Sequence, residues 1–152
     1  TFTFTVFPYD DFEVKKTQVS NLLNGTKCNI ILEKDPDYYW VGRCVVNNYA
    51  SDRNHNTIVV NATVAPYKLR TNATEVIYES GTNITKSLSN SRKTVVPTIT
   101  NNANATVVFK GKAHELTPGT HRIADIELKQ GENTITVTSS DIVRFSYREG
   151  DL

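Results

Sequence analysis

The sequence predicts a mainly β protein made of two small antiparallel β-sandwich domains, the first with one short α-helix packed on its sheet. Three observations predict it. Short runs of alternating apolar and polar residues recur along the chain, as in 1–7 and 57–65. Asn and Thr are plentiful, Leu is modest and Met is absent, a composition that suits strands and turns. Only one stretch, 10–24, carries a helical pattern. At 152 residues the chain is long enough for one ordinary domain or two small ones. We place the boundary between Tyr67 and Thr74, giving an N-terminal β domain with the helix at 1–70 and a C-terminal β-sandwich at 71–152.

Residues 1–7 open the chain with Phe2, Phe4 and Val6 on one face and Thr1, Thr3 and Thr5 on the other. A chain that starts inside a strand reads as a fragment or a processed product. In the helix at 10–24, Asp10 and Glu13 have capping-box spacing, and Gly25 suits the left-handed C-cap. Val19, Leu22 and Leu23 form its apolar stripe, with Phe12 near the start.

A hairpin follows. The run 27–33 and the aromatic, β-branched run 38–46 flank Asp35-Pro36-Asp37, which has turn chemistry. Centring the turn on Pro36 sets Leu32 opposite Trp40, Ile30 opposite Gly42 and Cys28 opposite Cys44. Directly opposed strand residues lie about 4.5–5.5 Å apart, within disulfide range. A bonded pair and two small reduced core residues therefore both remain open, and compartment decides between them. Residues 47–56 are polar and read as a loop. The strand at 57–65 puts Ile58, Val60, Ala62 and Val64 on one face before Pro66 limits the ladder.

The second half reads as a series of short strands. Residues 74–79 are followed by a turn at 80–83, a strand at 84–88 and a polar loop at 89–93. Ala105, Val107 and Phe109 share a face, and Thr117-Pro118-Gly119 turns. Ala124, Ile126 and Leu128 come before a turn at 129–132, which sets Leu128 opposite Ile135. Val143, Phe145 and Tyr147 form the last alternating run.

No catalytic, cofactor or metal site emerges. His55, His114 and His121 have neither metal-ligand nor triad spacing, and Asp35 and Asp37 read as turn residues. There is no phosphate-binding loop and no nucleophile elbow. Lys and Arg number 17 against 16 Asp and Glu, with no basic stripe, so a nucleic-acid partner is not expected. No apolar run has the length of a bilayer span. Tyr38, Tyr39 and Trp40, with Tyr49 and Tyr67, offer rings for a sugar, but alternation sends Trp40 and Tyr39 to opposite faces. Asn-x-Ser/Thr triplets occur at Asn24, Asn61, Asn72, Asn83 and Asn104, and Asn61 falls inside a strand.

Four motifs, in order, resemble the siphophage distal tail protein family. They are DPDYYWVGR at 35–43, PYK at 66–68, GENTITV at 131–137 and SYREGDL at 146–152. The resemblance implies a ring-forming N-terminal domain, a C-terminal sandwich similar to carbohydrate-binding modules, and no enzymatic activity. It implies a homo-hexameric hub between tail tube and adsorption apparatus. Such a hub is located at the virion tail tip, assembled in the bacterial cytoplasm, and partnered by tail-tip or receptor-binding proteins. Asp35, Pro36, Tyr38, Tyr39, Trp40, Gly42 and Arg43 are its hairpin residues. Gly131, Asn133, Tyr147, Arg148 and Glu149 are its C-terminal signature. Family members carry a longer segment before the first strand. Ring contacts are expected at the edges of the strands at 1–7 and 38–46. The alternative reading is an extracellular adhesin or carbohydrate-binding sandwich.

Overall fold

The computed structural model describes residues 1–6, 12–51 and 56–152, and the side chains of all these except residues 2, 4, 6 and 48–51. The Asp10 cap, His55, the Tyr49 ring and the facing of Phe2, Phe4 and Val6 lie outside the described residues. Among the described residues the fold is mainly β with one helix, its antiparallel sheets packed in sandwich-like fashion. The chain forms two compact units, Thr1–Pro66 and Tyr67–Leu152.

In the first unit, β1 (Phe2–Val6), β2 (Lys27–Leu32), β3 (Asp35–Ser51) and β4 (Asn56–Arg70) form a sheet in the order β1-β4-β3-β2. Helix α1 (Phe12–Leu23) packs on it. Cys44, Ile58 and Val60 are buried beneath Phe12, Val19 and Leu23. Leu22, expected in the apolar stripe, is 71% exposed instead. Helical spacing puts Val19 and Leu23, four residues apart, on one face, and Leu22 falls beside it. Gly25 takes the left-handed conformation at the helix end, with φ 74°.

The hairpin differs from expectation in register. The chain reverses at Glu33-Lys34, and Asp35-Pro36-Asp37 belongs to β3. Ile31 pairs with Tyr39 but Leu32 with Asp35, so Pro36, Asp37 and Tyr38 have no partners in the β2 ladder. The missing N–H of Pro36 falls in that interruption, where it costs no ladder bond. Ile30 consequently faces Trp40, and Cys28 faces Gly42. Cys28 and Cys44 are therefore not opposed: Cys44 bonds through its N–H to the Thr26 carbonyl, 3.0 Å away. The shift is two residues, which preserves each residue's face.

Of the loop expected at 47–56, residues 47–51 belong to β3 and Asn56 to β4, and the rest lies outside the described residues.

The second unit is a sandwich of two four-stranded sheets. One contains β5 (Thr74–Tyr78), β7 (Thr98–Asn101), β10 (Gly119–His121) and β12 (Val143–Tyr147), in the order β10-β7-β12-β5. The other contains β6 (Gly81–Asn90), β8 (Ala105–Phe109), β9 (Lys112–Leu116) and β11 (Gly131–Ser139), in the order β6-β11-β8-β9. A last short strand, β13 (Gly150–Asp151), pairs with the end of β4.

Strand β6 starts at Gly81 and runs to Asn90, so it takes in most of the turn expected at 80–83 and part of the polar stretch. Leu128 bridges Val95, whereas Ile135 pairs with Lys86 and Phe109. The expected Leu128–Ile135 pair is thus replaced by longer-range pairing. Tyr78 ties the layers together: its ring lies 5.2 Å from that of Phe145, and its hydroxyl donates to the Ile135 carbonyl at 3.1 Å.

Candidate functional site

Two of the hairpin residues, Gly42 and Arg43, make close contacts to β4 and to the helix end. Arg43 stands opposite Lys27, an unfavourable like-charge pairing, and its guanidinium turns to donate to the Gly25 carbonyl. That contact satisfies a carbonyl at the helix end, where a cation is also favoured. Asn24 completes the join, its side-chain oxygen accepting the Val46 N–H at 3.2 Å. A Cβ on Gly42 would come within 2.8 Å of Val64 Cγ1 and 3.0 Å of the Thr63 carbonyl. Gly42 thus lets β4 approach. Ile30, Leu32, Trp40, Ala62 and Val64, with Thr1, line a shallow apolar trough of about 190 Å³ on the sheet.

Cys28 and Cys44 are free thiols. Burial, and then the neighbouring Cys28 thiol, raise the Cys44 thiol above its ordinary value. Both therefore favour the uncharged, unreactive form of Cys44.

The C-terminal signature residues are held by specific bonds. Asn133 is buried; its amide donates to Lys129 O at 2.7 Å and Gly131 O at 3.0 Å, and its oxygen accepts Lys129 N–H at 2.9 Å. This closes the tight loop before β11, in which Gly131 has φ 92°. Tyr147 donates to the Ser89 carbonyl, and burial pushes its phenol up to about 12. Arg148 donates to the carbonyls of Arg70 and Thr71, and Glu149 accepts from Arg70 and Thr74.

Among the described residues, no group of three or more His, Cys, Asp and Glu side chains has the geometry to hold a metal ion. His114 lies in β9 and His121 in β10, strands of different sheets. An open cleft of about 590 Å³ at the second unit is lined by Thr82, Asn104, Thr106, Glu115 and Thr138, among others. Sequence reasoning missed strand β9 and its tight turn: Gly111 (φ 78°) was the one cue in the sequence, because Lys110, which also has positive φ (50°), is not a residue that marks such a turn.

The sequence matches no family model and no curated protein. The architecture does have a solved counterpart. It superimposes on the crystal structure of the Dit protein of phage SPP1 with a TM-score of 0.62 and 13% identity, over 99% of this chain and 78% of that one. The chain has a Dit-like fold. The SPP1 protein is described as a paradigm of the hub adsorption apparatus in phages that infect Gram-positive bacteria. No helix among the described residues is long and apolar enough to cross a membrane.

Proposed function

We propose that the protein is a non-enzymatic structural component of a phage tail tip, a hub between the tail tube and the host-adsorption apparatus. The observation that supports this reading most is the extent of the Dit likeness, which covers 99% of the chain and therefore both units. A β-sandwich alone is shared by many unrelated proteins and carries little functional weight.

On this reading six copies of the full-length protein close into a ring through heterologous contacts. Those contacts belong to the first unit. Because β3 lies between β4 and β2, the edges available for pairing are those of β1 and β2, not the 38–46 segment. The second unit, the sandwich similar to carbohydrate-binding modules, faces outward toward tail-tip or receptor-binding partners.

Native mass spectrometry of the full-length protein at micromolar concentration tests the ring, with a hexamer expected. A persistent monomer, together with tails that show no such ring by electron microscopy, removes the hub reading. Intact mass of natural material separates the adhesin alternative: hexose or N-acetylhexosamine increments on the Asn-x-Ser/Thr sites would favour it.

A further inference from the structure

Residues 148–151 converge on one short stretch, residues 68–74. Gly150 and Asp151 of β13 pair with Leu69 and Lys68. The Arg70 N–H donates to the Glu149 carbonyl at 3.0 Å. The Arg148 guanidinium donates to the carbonyls of Arg70 and Thr71. The Glu149 side chain, 13% exposed, meets Arg70 at 3.2 Å and accepts the Thr74 hydroxyl at 2.7 Å. On its other side, Gly150 is anchored to the sandwich. Its carbonyl accepts from Ser91 Oγ at 3.0 Å and from the N–H groups of Arg92 and Lys93 at 3.0 and 2.9 Å.

We propose that residues 148–151 are a strap that locks residues 68–74 onto the second unit and sets how readily that stretch opens. A two-residue strand has little stability of its own. Here the pairing is reinforced by charge-assisted bonds from two side chains, one of them a largely buried carboxylate. The bonds share so few residues that they form and break together, as a local opening separate from unfolding of the core. Gly150 is a required part of the device. A Cβ there would come within 2.9 Å of Lys93 Cβ and 3.2 Å of Leu69 Cδ2, so any side chain pushes β13 away from β4.

Two trypsin sites, Lys68 and Arg70, lie under the strap, while Lys34 in the β2–β3 turn provides an internal comparison. Limited trypsin digestion of the whole chain tests the proposal with Gly150→Val and with the double variant Arg148→Gln/Glu149→Gln. Amide exchange at Ile135 and Phe145 monitors the core. The expected result is cleavage after Lys68 and Arg70 at least about tenfold faster in both variants, with Lys34 cleavage and core exchange unchanged. Should Gly150→Val fail to fold, the double variant decides alone. Unchanged cleavage at Lys68 and Arg70 overturns the strap. So does cleavage that accelerates only in step with core exchange, because the stretch would then open only by global unfolding.

Discussion

In the second unit, Tyr78, Leu88, Ile99, Ile126 and Phe145 have no exposed surface, sealed between two four-stranded sheets. In the first unit the buried apolar residues among those described are Cys44, Ile58 and Val60, under one helix of which no residue is fully buried. Ile31 and Val45, on the sheet's other face, are 56% and 46% exposed. The second unit completes its own core. The first leaves apolar side chains on both faces of its sheet, which an isolated antiparallel sheet with one solvated face would not need. The difference teaches where stability resides and where surface is held for something else.

The largest test of that contrast is a pair of core deletions. Phe145→Ala removes a ring packed on Tyr78 and should cost about 3–5 kcal/mol. Ile30→Ala, at a half-buried position beside the open trough, should cost less than half as much. Denaturant unfolding checks both. Trp40, the chain's one tryptophan, reports the first unit, and denaturant-dependent amide exchange at Phe145 reports the second. Equal losses would show that the two cores are equally closed.

Alkali offers a second handle. Burial raises the phenols of Tyr78 and Tyr147 above their ordinary value near 10, Tyr147 to about 12. The folded state then keeps protons that the unfolded state releases. The stabilisation is complete below about pH 10 and is lost as pH rises toward 12, with a slope of about 1.4 kcal/mol per pH unit for each phenol. Denaturation midpoints at pH 9 and 11 measure it. Tyr147→Phe should reduce the slope by one proton, and an unchanged slope would contradict the burial of that phenol.

A third, smaller effect belongs to the first unit. Gly42→Val forces a side chain against Val64 and the Thr63 backbone and should cost about 1–3 kcal/mol by overpacking. A neutral outcome in the Trp40-reported transition would mean that β3 and β4 separate easily.

These sites also mark what the sequence disclosed. The alternation of Ala105, Val107 and Phe109, and of Val143, Phe145 and Tyr147, is local and survives folding; all six are buried. Hairpin register is not written in alternation, because a two-residue slip leaves every face intact while moving Cys44 from directly opposite Cys28 to a diagonal position. Nor does proximity in sequence fix proximity in a sheet. Leu128 and Ile135 are neighbours along the chain, yet β11 pairs with β6 and β8, which come earlier in sequence. The bonds of Arg43 and Arg148 go to main-chain carbonyls, which no residue pattern reveals.

The smallest expected effect is the most informative about the open face of the first unit. Ile31 and Val45 share one face of the sheet by register, with half-buried Tyr39 and Val41 between them. Replacing both with Ser removes apolar surface that water already reaches, so the monomer's unfolding free energy should change by no more than about 0.5 kcal/mol. A larger loss would mean that these side chains support the monomer itself, and the contrast between the units would weaken. If the face is covered by another subunit in the proposed ring, the same double variant should lower hexamer occupancy in native mass spectra of the full-length protein while its melting profile as a monomer stays put. Loss of assembly without loss of stability is the signature of surface reserved for a partner. A variant that assembles as the parent does would assign the ring contacts to the β1 and β2 edges alone, because strand-edge pairing uses main-chain groups that neither substitution removes.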